Sequence, residues 1–281
     1  QVLNIREKLF MIDCGEGTQI QMRRTKIAFG KLNHIFISHL HGDHCFGLLG
    51  IISSFGLLGR TAPLFVHAPA DMWKILKPEL DFYCQGMEYE VEFCGFNPKE
   101  KAVIYDDKSL SVETIPLKHR IPTAGFLFKE KPLPDHLDRA AADFYRVPQW
   151  DYNRIKNGGD FVTADGKIIP HSQLTKPATP PRSYAYCCDT EYNLDMVEQI
   201  TGVSTLYHDC TYSEADKERA KKHFHSTAAQ AANTAKQAEA GTLILGHFSA
   251  RYNNENILLE EAKEIFKNSY LAKENTTFTI E

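Results

Sequence analysis

His39-Leu40-His41-Gly42-Asp43-His44 follows directly on the apolar run Ile35-Phe36-Ile37-Ser38, and that junction decides how the chain is read. In an extended strand, residues i and i+2 point to the same side, so His39 and His41 present two imidazoles to one place. Gly42 lets the backbone turn sharply. Asp43 and His44 then open a mostly apolar segment, Asp43 to Gly59, long enough for a buried helix. Asp43 is therefore expected near a helix N-terminus, where a carboxylate is favoured. Three imidazoles and a carboxylate after a buried strand suit two adjacent cations. A solvated polar turn has no reason to concentrate metal-competent side chains in this way.

A metal site of that kind needs further ligands, and other apolar strands end on them. His119 follows Leu110 to Leu117, Asp189 closes Tyr184-Ala185-Tyr186-Cys187-Cys188, and His247 closes Leu243-Ile244-Leu245-Gly246. Any one of these alone is more often structural. Together with His39, His41, Asp43 and His44 they form a consistent set, because α/β architecture places its sites outside one edge of a sheet.

At this point the chain resembles the metallo-β-lactamase fold and, within it, the ribonuclease Z (tRNase Z) family, endonucleases that trim the 3′ end of precursor tRNA. Asp13-Cys14-Gly15-Glu16-Gly17-Thr18-Gln19, Lys118-His119-Arg120-Ile121-Pro122-Thr123 and His247-Phe248-Ser249-Ala250-Arg251-Tyr252 carry the narrower likeness. His225-Ser226-Thr227-Ala228 is similar to the family's second catalytic histidine, and the likeness runs from Gln1 to the C-terminus. It implies a four-layer αββα sandwich over 1–281, with a protruding insertion arm at 130–182.

The resemblance also implies chemistry. His39, His41 and His119 are expected to hold one ion, Asp43, His44 and His247 the other, with Asp189 bridging. Two Zn²⁺ suit this set, and Mn²⁺ or Fe²⁺ would tolerate it. Asp43 would steer the nucleophile or take its proton. His225, oriented by Asp209, would protonate the departing ribose O3′. The family usually carries Glu where Asp209 stands, in a His-Glu-Ala-Thr string that here reads His208-Asp209-Cys210-Thr211. Ser249 and Arg251 are expected to bind substrate. The products would be a tRNA 3′-hydroxyl and a trailer 5′-phosphate. A homodimer in the cytoplasm is the implied context.

Composition agrees with this reading. A chain of 281 residues, 43% hydrophobic, can bury one large core. No stretch is long and apolar enough to span a bilayer. Seven scattered cysteines, with no Cys-x-x-Cys pair, point to reduced thiols in a cytosol and away from a zinc knuckle. No signal peptide is visible, and a chain starting at Gln1 is expected to have lost its true N-terminus. With a net charge of −4 there is no global basic field, so RNA affinity must come from local patches. Lys217, Arg219, Lys221 and Lys222 lead toward His225, and Lys118, Arg120 and Arg251 flank proposed ligands.

The coarse pattern is two βα-rich halves. Val2 to Ile5 and Leu9 to Ile12 read as a hairpin, then a helix at Thr18 to Arg24. A strand at Pro63 to His67 and a helix from Asp71 to about Lys77 follow. Strands near Tyr89 to Phe93, Val103 to Asp106 and Leu110 to Leu117 are expected at the first sheet's edge. Tyr184 to Cys188, Thr205 to Asp209 and Thr242 to Gly246 read as strands. Leu194 to Ile200, Thr227 to Ala240 and Glu255 to Phe266 read as helices, with a last strand near Thr276 to Ile280. Between Lys129 and Arg182 the texture changes: seven of the chain's 13 prolines fall there, too irregular and long for an ordinary connection. In the family the corresponding arm grips the tRNA elbow away from the active site. Here Glu130 to Arg182 carries eight Lys/Arg against seven Asp/Glu, and Trp150 and Tyr152 are candidates for stacking on RNA or for a small core within the arm.

His34, His67, His136, His171, His208 and His223 read as core-edge or surface residues, and Cys187 and Cys188 as packing. Two rival functions share parts of the pattern. Another dinuclear-metal phosphodiesterase or an arylsulfatase would use the same ligands, but the arm and the His225 region argue against it. A catalytically silent RNA-binding relative has no need of the complete ligand set.

Overall fold

The computed structural model describes residues 1–281. The chain runs β1 (Val2–Ile5), β2 (Lys8–Ile12), α1 (Thr18–Arg24), β3 (Leu32–Phe36), α2 (Gly42–Cys45), α3 (Leu48–Leu57), β4 (Leu64–Pro69), α4 (Trp73–Tyr83), β5 (Val91–Phe96), β6 (Val103–Asp106), β7 (Leu110–Leu117) and β8 (Thr123–Glu130). An insert holds β9 (His136–Leu137), α5 (Arg139–Phe144), α6 (Tyr152–Lys156), β10 (Phe161–Val162), β11 (Ile168–Ile169) and β12 (Thr175–Lys176). The remainder is β13 (Ser183–Cys187), α7 (Val197–Ile200), β14 (Thr205–Asp209), α8 (Lys217–His223), α9 (Ala228–Gln237), β15 (Thr242–Gly246), α10 (Asn256–Ile265) and β16 (Ser269–Leu271). Two compact units result: Gln1–Lys129 with Ser183–Glu281, and Glu130–Arg182.

The larger unit contains a five-stranded sheet, β1-β2-β3-β4-β5, and a seven-stranded sheet, β16-β15-β14-β13-β8-β7-β6. Strand alternation assigns each side chain to a layer. Phe10, Ile12 and Phe36 point from the first sheet into a core shared with Val112, Phe126, Phe128, Tyr184 and Tyr186 of the second. Their neighbours Met11 and Ile35 face the other way, onto Met22, Leu48, Ile51, Ile52, Phe55 and Leu76 from α1, α3 and α4. In the second sheet Ala185 and Cys187 turn outward onto Ile200, Ala231, Ala235, Leu258 and Ala262 from α7, α9 and α10. The layers are helix, sheet, sheet, helix. Strands apolar on both faces are what central parallel strands require. A capping box, Thr227 with Gln230, starts α9 where the sequence predicts a helix.

Several expectations need correction. The helix expected over Asp43 to Gly59 is two helices, because the Gly47 N–H donates to the Cys14 carbonyl at 2.8 Å. The chain crosses there so closely that a Cβ on Gly47 would lie 1.9 Å from the Gly15 carbonyl oxygen. β6 and β7 belong to the second sheet, not to the edge of the first; periodicity identifies strands but not their partners. β8, unread in the sequence, pairs with β13. α4 continues through Pro78 to Tyr83, since Leu76 and Leu80 both pack on the helix-facing core. The final strand is β16, parallel to β15, while Ile280 packs on the core between the sheets without joining a ladder.

The insert has a small core of its own, Ala142, Val147, Ile155, Phe161, Ile169 and Leu174, against which Tyr152 packs. Its ends are tied by the Glu130 N–H donating to the Arg182 carbonyl at 2.9 Å. Tyr152 also lies beneath the Arg139 guanidinium, whereas Trp150 is 80% exposed. No helix is long and apolar enough to cross a membrane.

Candidate metal centre

Asp13, His39, Asp189, Asp209 and His247 lie at or just beyond the carboxyl ends of β2, β3, β13, β14 and β15, and His119 follows β7. The structure brings together every ligand residue named from the sequence. His39 Nε2 lies 2.9 Å from His41 Nδ1, which is 3.3 Å from His119 Nε2. Asp189 Oδ2 is 3.9 Å from His39 Nε2 and 3.7 Å from His119 Nε2. Its other oxygen, Oδ1, is 3.7 Å from His44 Nε2 and 3.2 Å from His247 Nε2. Asp43 Oδ2 stands 3.5 Å from His44 Nε2. Thus His39, His41, His119 and Asp189 form one group, and Asp43, His44 and His247 another.

Outer hydrogen bonds decide which nitrogen each ring turns inward. Ser38 Oγ–H donates to Asp13 Oδ2 at 3.0 Å, so His39 Nδ1–H must donate to Ser38 Oγ at 2.9 Å. His119 Nδ1–H donates to the Phe224 carbonyl at 3.0 Å, and His44 Nδ1–H to Asp13 Oδ2 at 2.8 Å. Thr211 Oγ–H donates to Asp209 Oδ1 at 2.7 Å, leaving Thr211 Oγ to accept from His247 Nδ1–H at 2.9 Å. Each of these four imidazoles therefore presents Nε2, while His41 presents Nδ1.

The electrostatics fit a cation. Burial first, then the charge of His44, hold His39 down to about 2, and burial also lowers His41 and His119. Three neutral rings consequently aim nitrogens at one point with at most one proton to share, an arrangement that a bound cation relieves. His44 is different: burial lowers its pKa, but the bond and charge of Asp13 outweigh it and raise the group to about 9. Asp43 is the accessible carboxylate, its side chain 70% exposed against 5% for Asp189.

His225 stands beside both groups, its ring 5.2 Å from His119 and 5.1 Å from His247. Its Nδ1–H donates to Asp209 Oδ2 at 2.7 Å. Asp209 is fully buried and also accepts from the N–H groups of Thr190 and Thr211. Burial would raise its pKa, but the His225 bond and charge prevail and lower it to about 2. For His225 burial is the largest single effect and pulls down, but the Asp209 bond, the Asp209 charge and the Asp189 charge together outweigh it, and the net shift is upward.

The substrate candidates lie nearby but are engaged. Arg251 pairs with Asp216 at 3.3 Å and lies over the Tyr212 ring, and Ser249 N–H donates to the Thr211 carbonyl at 3.2 Å. Lys118 pairs with Asp195 and Lys217 with Glu214. His34 and His67 stack among Phe36, Phe65 and Tyr105 between the sheets, away from the site.

Sequence reasoning gave Asp13 no role, although it lies in a motif singled out above. The residue holds Ser38 N–H, Ser38 Oγ–H, Tyr186 Oη–H and His44 Nδ1–H with one carboxylate. Asp13, Phe224 and His247 adopt left-handed φ values of 57°, 60° and 63°, uncommon for such residues and met here at three contacts of the site. Cys188, expected to be packing alone, has its Sγ 3.0 Å from Asp189 Oδ1, while Cys187 packs on the helix side.

The profile described as anti-Pycsar protein Apyc1 matches residues 1–133. The chain is 56% identical over 281 residues to the ribonuclease Z of Phocaeicola vulgatus, covering 100% of this chain and 91% of that protein. It is 56% identical over 280 residues to the ribonuclease Z of Bacteroides thetaiotaomicron, covering 100% and 89%. Human tRNase Z, short form, superposes with a TM-score of 0.70 at 21% identity, covering 100% of this chain and 91% of that one. The metallo-β-lactamase fold protein YhfI from Bacillus subtilis superposes at 0.65 with 15% identity, covering 97% and 88%. These two structures identify the layered architecture as the metallo-β-lactamase fold.

Proposed function

The chain belongs to the ribonuclease Z family, and on that premise we propose that it is the metal-dependent endoribonuclease that removes the 3′ trailer from precursor tRNA. Cleavage leaves a tRNA 3′-hydroxyl and a trailer 5′-phosphate. The observation that carries this reading is the His225–Asp209 pair, held at 2.7 Å, beside a cluster of seven ligand residues.

In this reading His39, His41 and His119 would hold one divalent cation, Asp43, His44 and His247 the other, with Asp189 shared between the two groups. Zn²⁺ suits the nitrogen and carboxylate donors best, with Mn²⁺ or Fe²⁺ accommodated by the same set. Two such cations supply the Lewis acidity that makes water nucleophilic near neutral pH and offsets charge on the phosphate. The side chains do the rest. Asp43, exposed and with an oxygen to spare, steers the attacking water or takes its proton. Asp209 stabilises the imidazolium and shifts the His225 pKa upward from its ordinary value, and His225 delivers its Nε2 proton to the departing ribose O3′. Asp209 stays ionised throughout.

RNA is held locally, since the chain's net charge is −4. Ser249 and Arg251 contact substrate, with Arg251 exchanging Asp216 for phosphate. The insert 130–182 is the tRNA-binding arm, and exposed Trp150 stacks on RNA. A homodimer is favoured by Phe46, Leu57, Leu58, Phe82 and Tyr83, large apolar residues left exposed on or beside α2, α3 and α4. Seven free thiols agree with a reducing cytoplasm. Another dinuclear phosphodiesterase or an arylsulfatase is the alternative. Incubating the purified protein with a trailer-bearing precursor tRNA and mapping both new ends tests the choice: sulfate-ester hydrolysis without tRNA cleavage would sink the nuclease reading.

A further inference from the structure

We infer that Cys188 is a positioning residue for the bridging carboxylate of Asp189, acting on one cation position and not on the other. This rests on the two-cation reading above. The inward residues of the β13 stretch are Tyr184, Tyr186 and Cys188, which share the core between the sheets. Alternation thus delivers the Cys188 thiol to the inner side immediately before Asp189, and it is 1% exposed there. Its Sγ–H donates to Asp189 Oδ1 at 3.0 Å. The same sulfur gathers with a carboxylate oxygen of Asp209 and a ring nitrogen of His247, all ligand atoms within 4.8 Å of one another.

An aspartate's terminal torsion is broad and roughly two-fold, so a carboxylate that must offer one oxygen to each of two cations needs an external anchor. The neighbouring histidines do not provide it. Their Nδ1 protons go to Ser38, Phe224, Asp13 and Thr211, and none of the rings makes a hydrogen bond to Asp189. Cys188 is the one hydrogen-bond donor on that carboxylate. A thiol is a weak donor, so it fixes the direction of the oxygen while leaving most of its charge for a cation. The bond falls on Oδ1, the oxygen turned toward His44 and His247. Its influence therefore concentrates on the position lined by Asp43, His44 and His247. The Oδ2 side, facing His39 and His119, carries no such donor.

The test compares the wild type with Cys188→Ala and Cys188→Ser. Metal-free protein is titrated with Zn²⁺ against a competing chelator, and separately with Co²⁺ while the absorption spectrum is followed. We expect two ions in the wild type. In Cys188→Ala one ion should bind as before and the second about 10–100-fold more weakly, the usual cost of losing an outer partner. Cys188→Ser, which restores a donor, should return the second affinity toward wild type. Melting of the metal-free proteins should be nearly the same in all three. Unchanged affinity for both ions in Cys188→Ala would overturn the proposal, as would equal weakening of both or no recovery in Cys188→Ser. A sulfur-to-cobalt charge-transfer band in the wild type that vanishes in Cys188→Ser would overturn it differently, making the thiolate a ligand. Fewer than two ions in the wild type would instead remove the two-cation reading itself, and the role of Cys188 with it.

Discussion

Asp209 Oδ2 accepts the Nδ1 proton of His225 at 2.7 Å, although its side chain is one methylene shorter than the glutamate usual in the family. The His225 segment is tied to the end of β14: Tyr212 N–H donates to the Ser226 carbonyl at 3.3 Å, and Ser226 N–H to Asp209 Oδ1 at 3.4 Å. The pair is therefore a direct contact, and it is buried at the carboxylate end.

If His225 is the proton donor, its loss should depend on the leaving group. Ribose O3′ needs a proton as it departs, whereas p-nitrophenolate leaves without one. His225→Ala should slow precursor tRNA cleavage by about 10²–10⁴-fold while hydrolysing bis(p-nitrophenyl) phosphate at nearly the normal rate per turnover. Equal slowing of both substrates would mean that His225 positions phosphate or metal instead.

Elemental analysis should find about two ions per chain. Asp189→Ala should lower occupancy at both positions, because its two oxygens face different groups of histidines. Asp43→Ala should abolish cleavage of every phosphodiester. One ion in the wild type, undiminished in Asp189→Ala, would rule out the bridging assignment.

Residues 130–182 can be removed and the chain rejoined by a short turn, since Lys129 and Ser183 are paired neighbours on β8 and β13. The shortened protein should bind precursor tRNA far more weakly and still hydrolyse the small ester. Parallel loss of both activities would make the insert structural.

Acid sensitivity should come partly from His34 and His67, whose rings meet at 3.2 Å between the sheets. Burial above all lowers them from 6.5 to about 4 and about 3. The unfolded chain then binds protons below pH 6.5 that the folded chain refuses, so stability is full above that pH and falls from about 6.5 to about 4 for His34 and on to about 3 for His67. A double His34→Phe, His67→Phe variant should keep the stacking with Phe65 and Phe36 and flatten the fall in melting temperature over this range. An unaltered slope would place the sensitivity elsewhere.

Much of the site is legible in the chain because its signals are local. The i, i+2 spacing of His39 and His41 in extended chain signals a shared side, although β3 itself ends at Phe36. Apolar runs announce β13, β14 and β15, whose ends carry Asp189, Asp209 and His247. The broken helix is less legible, since nothing near Gly47 reveals that its N–H is taken by Cys14. β8 (Thr123–Glu130) went unread as well, and its place beside β13 is a pairing between segments that the whole insert separates in the chain.

Local pattern in the chain is enough to name the side chains that can bind metal, the order in which strands deliver them, and the family to which their spacing belongs. All of that depends on periods of two and on motifs a few residues long. How those ligands are held depends on folding. Asp13 meets the Tyr186 hydroxyl across 173 residues of chain, and His119 meets the Phe224 carbonyl across 105. Contacts made only on folding set ring orientation and, through Asp13 bonding His44 across 31 residues, the raised pKa of His44, because hydrogen bonds act between groups adjacent in space whatever their separation along the chain.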